Sequence, residues 1–565
     1  MSDLTERARI WQDDDPDEVT RAELGAVITA VEAGDPAALA DLEDRFSRNL
    51  EFGTAGLRGR IGAGPNRMNR SVVIRTAAGL ATYLTDAVGA RARVAIGYDA
   101  RHGSAQFARD TAAVMTAAGH HAMILPRALP TPVLAYATRA LDADAGVMVT
   151  ASHNPPQDNG YKVYLGGRAV GEEGRGAQIV PPYDAHIASK IAQVRTVRDV
   201  ARSTEGWEIL GEDLIDDYIA AAAGLAGRPV PARAELRIAL TSLHGVGGDT
   251  ATRALVGAGF TDLHQVAEQA EPDPDFPTVD FPNPEEPGAM DLALELARDV
   301  DADVVIANDP DADRCAVATV VDGEWRMLHG DVVGSLLGER IATRRALLRK
   351  APGSQVLANS IVSSRQLAAI AERHGLAHAN TLTGFKWIGR VEHLVYGYEE
   401  AIGYCVAPEL VRDKDGITAA VLIAEFVSEL KTQGRTLADA IDDLARTYGV
   451  YLTRQVSARY ADLAEIPVTM SRLLDSPPER MAGSRVTATD DMSKGFAGLP
   501  PTAGLHLATE SGARVIIRPS GTEPKVKAYL EVIVHVDGDV AAARRAAEDT
   551  MASLEANVRV ALGIE

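Results

Sequence analysis

Thr150-Ala151-Ser152-His153-Asn154-Pro155 places a serine hydroxyl on a tight polar loop, directly after the apolar run 145–149. A buried strand ending in such a loop presents its side chains at the carboxyl edge of a sheet, where α/β proteins carry their chemistry. A serine hydroxyl is a weak nucleophile alone, and His153 and Asn154 beside it on a turn offer orientation, activation and access. The same residues also suit an ordinary polar turn in which Ser152 and Asn154 cap backbone groups. A second loop, Asp309-Pro310-Asp311-Ala312-Asp313-Arg314, follows the strand-like run 303–307. On an extended segment its three alternating carboxylates lie on one face, an arrangement that suits a hard divalent cation. Calcium loops also alternate Asp but continue with a Gly and a distal Glu, whereas Arg314-Cys315-Ala316-Val317 returns at once to apolar strand. The expected ion is Mg²⁺, with open positions for a substrate phosphate, and a solvated acidic turn is the alternative. A serine nucleophile with a carboxylate metal loop points toward phosphoryl transfer.

Three further stretches carry groups that suit phosphate or sugar. Arg518-Pro519-Ser520-Gly521-Thr522 offers a guanidinium, two hydroxyls and a Gly-freed backbone. It suits a phosphate, since Arg binds bidentately and turn N–H groups add to it; a plain hairpin connection has the same composition. Glu399-Glu400, close to Gly403, offers acceptors for vicinal hydroxyls, although adjacent glutamates are commonly just solvated. Gly53-Thr54-Ala55-Gly56-Leu57-Arg58-Gly59-Arg60 is glycine-rich and basic. It lacks the spacing of a P-loop or a dinucleotide fingerprint, which excludes ATP and NAD on those grounds. Lys162, just past the serine loop, is a candidate general acid or base, or a surface lysine.

Positioning these loops needs strands that end where they begin. Runs 94–98, 122–125 and 145–149 read as strands, with helices at 105–118 and 132–140 between them. Strands alternating with helices imply a parallel sheet covered on both faces. The plan repeats with strands 236–240 and 303–307 and helices 249–257 and 290–299. It appears a third time with strands 355–357 and 394–396, the latter feeding Glu399-Glu400, and helices 364–373 and 418–430. Strands 515–517 and 527–536 around the Arg518 loop, and a closing Ala- and Arg-rich helix, read instead as α+β. The expected architecture is three successive α/β domains with mixed, largely parallel sheets plus a C-terminal α+β domain around a central cleft. Its expected bounds are 1–212, 213–325, 326–450 and 451–565. Residues 271–287, rich in Pro and acidic residues, read as a long surface loop.

Composition agrees with several domains: 565 residues exceed one core, and 46% hydrophobic with 24% charged residues is ordinary for a globular protein. A net charge of −22 argues against a nucleic-acid partner, so a phosphate site must be a local concentration of Arg, Lys and backbone N–H. Two distant cysteines, Cys315 and Cys405, make no disulfide framework and fit a reducing compartment. Without a signal-peptide pattern or a run long enough to span a bilayer, a cytoplasmic protein with no membrane partner is expected.

The serine, metal, sugar and phosphate loops, in that order over nearly the whole chain, resemble the α-D-phosphohexomutase superfamily. Phe52-Gly53-Thr54-Ala55-Gly56-Leu57-Arg58-Gly59, Gln157-Asp158-Asn159-Gly160-Tyr161-Lys162, Thr383-Gly384-Phe385-Lys386-Trp387 and Glu399-Glu400-Ala401-Ile402-Gly403-Tyr404 are most similar to its type 2 phosphoglucomutase and phosphopentomutase branch. The resemblance implies a sugar phosphomutase working through a phosphoserine enzyme and a sugar bisphosphate. The expected type is phosphoglucomutase/phosphomannomutase. Phosphopentomutase and glucose 1,6-bisphosphate synthase are the alternatives within the family, and a Ser/Mg phosphomonoesterase or a silent sugar-phosphate sensor lies further off. It implies that Ser152 carries the phosphate and, with Asp309, Asp311 and Asp313, holds one Mg²⁺. Arg58 and Lys162 match positions that assist proton transfer and bind phosphate, with His153 beside them. Substrate contacts fall to Glu399, Glu400, Gly403, Lys386 and Arg314, and the distal phosphate to Arg518, Ser520, Gly521 and Thr522. A small sugar phosphate is the expected partner, and glucose 1,6-bisphosphate or an equivalent bisphosphate the expected activator. Two departures stand out: Ile402 and Tyr404 replace Ser and His of the common sugar loop, and Phe385-Lys386 follows Thr383-Gly384 where a His is frequent. Both bear on the choice between hexose and pentose.

Overall fold

The computed structural model describes residues 2–53, 56–89, 91–347, 354–460, 462, 464–519 and 525–564. They form two compact units, Met1–Leu328 with Gly403–Gln433, and His329–Ile402 with Gly434–Glu565.

The first unit holds two mixed sheets. In one, the parallel strands Arg93–Tyr98, His121–Ile124 and Ala145–Val149 form the centre, and Asp158–Leu165 and Leu57–Arg60 continue it antiparallel. Val94, Ile96, Val147 and Val149 are each 0% exposed, as parallel strands covered on both faces require. Each such buried apolar side chain contributes roughly 1.5–3 kcal/mol. In the second sheet Val304–Ala307 runs parallel to Arg237–Thr241 and antiparallel to Ala316–Val321. Both chemical loops therefore leave the carboxyl end of a buried strand and return antiparallel. This return sets the register: Lys162 pairs opposite Met148, and Arg58 opposite Gly160, beside the loop that holds Ser152.

Two features lay outside the sequence expectation. Helices Ser2–Asp14, Glu18–Glu32 and Pro36–Phe46 precede the first sheet and bury their own cluster, Ala8, Leu24, Ile28, Val31, Leu42 and Phe46. Segment 271–287 forms no regular element, as expected, yet it is not wholly a surface loop, because Phe276 is buried.

The helix Gly416–Thr432 closes the first unit's second segment. Asp415 caps it, accepting from Ile417 N and Thr418 N at 3.0 Å each, and it also accepts from the Tyr218 hydroxyl at 2.8 Å. Burial outweighs these bonds and lifts Asp415 from 3.8 to about 6. The folded state thus holds the proton more tightly than the unfolded chain, so the stabilisation is complete below the unfolded value and is lost as pH rises through the folded one. Relative to Asp415→Asn, which keeps the cap, the wild type should lose between about 1 and 2 kcal/mol from about pH 5 to about pH 7.5. Denaturant unfolding of both proteins across that range checks this, and parallel curves would refute it.

In the second unit, Val356–Ser360 lies between Ala377–Thr381 and Leu394–Glu399 in a parallel run. A six-stranded sheet follows, antiparallel throughout, in which Arg518 lies near the end of the strand Arg514–Pro519 and pairs with Lys527 of the neighbouring strand Lys525–Val534. The helix Val540–Leu562 covers it with Ala547, Met551, Leu554 and Val558.

Candidate active site

Asp309, Asp311 and Asp313 do converge, with ligand oxygens within 4.8 Å of one another. The reason differs from the extended segment expected. The loop turns, with Ala312 at φ 52°, and Gly245 lies so close beneath that a Cβ there would sit 2.3 Å from the Pro310 Cα. All three carboxylates are buried. Asp311 Oδ2 accepts from Lys162 Nζ at 2.8 Å and from Thr131 Oγ1 at 2.6 Å; Asp313 Oδ2 accepts from Lys162 at 2.9 Å and pairs with Lys414 at 3.2 Å. The other oxygens, Asp311 Oδ1 and Asp313 Oδ1, are buried without a hydrogen-bond partner among the described residues. Buried carboxylate oxygens without partners are costly unless a cation takes them. This donor set, all hard oxygen, fits Mg²⁺.

Ser152 stands at the edge of this group. Its Oγ donates to Asp309 Oδ2 at 2.7 Å and lies 3.2 Å from His153 Nδ1. One hydroxyl carries one proton, so with that proton on Asp309 the histidine contact needs an N–H at Nδ1. Ser152 is 3% exposed and sits at φ 53°. A left-handed conformation costs a non-glycine residue about 1–3 kcal/mol and persists only where its surroundings over-determine it.

Burial and the two neighbouring carboxylates push Asp309 well above the carboxylate range. Burial works the same way on Asp313, but Lys162, Lys414 and Arg314 outweigh it and hold Asp313 low. Burial pulls Lys162 down, but Asp311 and Asp313 outweigh it and raise it, so it stays charged. Burial first, then Arg314 and Arg58, keep His153 well below the imidazole range and neutral.

Arg58 donates to Asn154 Oδ1 at 3.0 Å, and Arg314 Nε lies 3.9 Å from Asp309 and 3.8 Å from Asp313. Gly403 bridges the Arg314 backbone antiparallel. The local cation cluster that the net charge demanded therefore exists: Arg58, Lys162, Arg314 and Lys414 face three aspartates. Lys414 and Thr131 escaped the sequence reading. Lys414 stands in an ordinary-looking Arg412-Asp413-Lys414-Asp415 run, and Thr131 merely opens a helix.

The second unit carries the other candidates. Glu400 Oε2 accepts from Ser363 Oγ at 2.8 Å and Ser360 Oγ at 3.1 Å, and Glu399 ends the strand Leu394–Glu399. Arg518 donates to the Thr383 hydroxyl and to Thr502 Oγ1 at 3.3 Å, and its Nε is buried without a partner among the described residues. Lys386 lies in the short helix Phe385–Ile388 just past Thr383. Ser520, Gly521 and Thr522 lie outside the described residues. Ile402 and Tyr404 are both 0% exposed.

A serine hydroxyl beside three buried carboxylates, both at strand ends of an α/β fold, has the make-up of a phosphotransfer site. Four successive stretches match Phosphoglucomutase/phosphomannomutase: its alpha/beta/alpha domain I at residues 49–197, domain II at 216–321, domain III at 329–448, and the C-terminal domain at 485–551. A Haemophilus influenzae protein described as "Probable phosphomannomutase" is 47% identical over 468 residues, covering 82% of this chain and 93% of that one. A Schizosaccharomyces pombe "Probable phosphoribomutase" is 34% identical over 562 residues, 93% of each chain. The solved structure of a phosphoglucomutase/phosphomannomutase family protein from Burkholderia thailandensis shares the fold, with TM-score 0.66 at 19% identity over 89% of this chain and 97% of that one. The chain belongs to the phosphoglucomutase/phosphomannomutase family and is an isomerase of the phosphohexomutase type. Among the described residues no helix is long and apolar enough to cross a membrane.

Proposed function

We propose that the chain interconverts the 1-phosphate and 6-phosphate of a hexose, glucose or mannose, with Ser152 as the phosphoryl carrier. The observation that carries this is the 2.7 Å contact between Ser152 Oγ and Asp309 within the buried triad. In the resting enzyme Ser152 would hold a phosphoryl group. A free sugar hydroxyl attacks its phosphorus, the bond to Ser152 Oγ breaks, and the hydroxyl proton leaves to a base as the serine oxygen regains one. The bisphosphate formed then returns its other phosphoryl group to Ser152. Asp309, Asp311 and Asp313 would hold Mg²⁺, which neutralises charge on the transferring oxygens. Protonated Lys162 and the guanidinium of Arg58 would bind those oxygens, with Lys162 the proton donor to the departing serine oxygen, while neutral His153 orients Ser152. Glu399 and Glu400, Gly403, Lys386 and Arg314 would contact the sugar, and Arg518 with Ser520, Gly521 and Thr522 the phosphate not being transferred. The burial of Ser152 favours transfer over hydrolysis, because water at phosphoserine would disable the carrier. A sugar bisphosphate such as glucose 1,6-bisphosphate would restore enzyme that has lost its phosphate.

Activity on a pentose phosphate is the second reading. Ile402 and Tyr404 favour it, since both side chains are buried and so do not offer a sugar the polar contacts of Ser and His, and so does the likeness to a protein described as a phosphoribomutase. Rates with Mg²⁺ on glucose 1-phosphate, mannose 1-phosphate and ribose 1-phosphate, with and without glucose 1,6-bisphosphate, decide between the two. A higher kcat/KM on a hexose is expected. A higher value on ribose 1-phosphate assigns the pentose, and no interconversion of any of the three refutes the mutase.

A further inference from the structure

The strained serine loop must be held by something, and its main grip comes from Arg101. This guanidinium, 4% exposed, donates through Nη2 to Ser152 O at 2.6 Å and to Asn154 O, and through Nη1 to Pro155 O at 2.8 Å and Asp158 O at 3.1 Å. Four carbonyls from one loop converge on one side chain, including that of the residue at φ 53°. Asp99 lies 3.5 Å from Nε, and Ser104 Oγ and Arg101 N both donate to Asp99 Oδ1, so the anchor is itself anchored.

The guanidinium face is covered by Phe276, whose ring centroid lies 5.0 Å from Arg101 Cζ. Phe276 belongs to the irregular segment 271–287 and is 3% exposed. That segment is tied down elsewhere. Asp273 N donates to His244 O at 2.9 Å, and His244 Nε2 meets Thr278 Oγ1 at 2.8 Å. Next to His244, Gly245 lies against Pro310, and Val246 N donates to Pro310 O at 2.8 Å, inside the metal loop. From its other end Glu285 approaches Arg314 at 3.7 Å. An exposed pair, His102 with Asp275, adds little by comparison.

We propose that segment 271–287 is a brace spanning the serine and metal loops, in which Phe276 fixes Arg101 and Arg101 fixes the backbone of Ser152. Both are positioning residues, since neither is placed here on substrate or on the transferring group. The buried aromatic face restricts the guanidinium to the plane in which its fork reaches all four carbonyls. Losing the platform lets the serine loop relax by a fraction of an ångström, and misplacement on that scale is costly to rate while sugar binding is untouched.

The test rests on the mutase reading for its kinetic arm and is independent of it in its exchange arm. With saturating Mg²⁺ and glucose 1,6-bisphosphate, Phe276→Ala should lower kcat by about 10- to 100-fold and leave KM within about twofold. Phe276→Tyr should stay within about threefold of wild type, and Phe276→Leu should not recover as far. Arg101→Lys should lose at least as much as Phe276→Ala, and the double variant no more than Arg101→Lys alone, because both act through one contact. Hydrogen exchange of amides 150–159 should quicken in Phe276→Ala whether or not the wild type turns over sugar phosphate. A Phe276→Ala kcat within about twofold of wild type, equal recovery by Leu and Tyr, additive losses, or unchanged exchange would each overturn the brace. A wild type without mutase activity, but with faster exchange in the variant, would leave the brace standing and sink only the mutase.

Discussion

Ser152→Ala should lower the mutase rate by about four orders of magnitude or more, the scale on which an enzyme loses its nucleophile. Three other groups with the right chemistry among the described residues are poorly placed to take over. The Cys315 thiol is fully buried and pushed up to about 12, so it offers no thiolate. The Thr131 hydroxyl is committed to Asp311 Oδ2 at 2.6 Å. His153 is oriented by the very oxygen that the substitution removes. The variant should nevertheless fold, because alanine at φ 53° meets the same backbone cost as serine and removes one small buried atom. A melting temperature within a few degrees of wild type, together with no transfer of radiolabelled phosphate from glucose 1,6-bisphosphate to protein, is the expected pair of results. A residual rate above a tenth of wild type would refute Ser152 as the carrier, whatever the sugar.

The two chemical loops were legible before the fold because each follows a short, wholly apolar strand, and polar residues packed into such a turn are conspicuous. The convergence of three aspartates was legible too, though for another reason than alternation on an extended chain. It comes from the left-handed turn at Ala312 and the close approach of Gly245, and neither is visible in the spacing. Thr131, Arg101 and Lys414 could not be read at all. Their side chains act on residues about fifty to nearly two hundred positions away (Arg101 on Ser152, Lys414 on Asp313, Thr131 on Asp311). Local patterns record what a residue is, whereas these roles depend on which strand its loop happens to face. The helices within residues 2–46 carry none of the chemical motifs, and their only mark in the sequence is the helical spacing of apolar residues such as Leu24, Ile28 and Val31. Residues 271–287 show the converse limit, since acidic and proline-rich composition announces a loop but not the single Phe276 that seats it.

Asp311→Asn should produce the second large loss, about 100- to 10,000-fold in kcat, together with a failure to recover activity on adding Mg²⁺. The argument is one of charge and of atoms. Three aspartates stand against Arg58, Lys162, Arg314 and Lys414, so the cluster carries no excess of negative charge before any cation enters. Removing one carboxylate makes the pocket more positive, which repels a divalent ion, and burial makes that repulsion stronger than it would be in water. Asp311 is the informative choice because its two oxygens do different things. Oδ2 serves Lys162 and Thr131, whereas Oδ1 is buried with no protein partner among the described residues. An amide can keep its oxygen toward Lys162 and Thr131, but it then aims an NH₂ where a cation would need an acceptor. Kinetic titration with Mg²⁺ after chelation separates the outcomes. Wild type should lose activity on chelation and regain it with Mg²⁺, while Asp311→Asn stays inactive at about 10 mM, a concentration that ordinarily saturates a carboxylate Mg²⁺ site. A variant whose Mg²⁺ half-saturation and kcat both remain within about threefold of wild type would show that the triad is not the metal site, and would leave the unpartnered oxygens of Asp311 and Asp313 without a role.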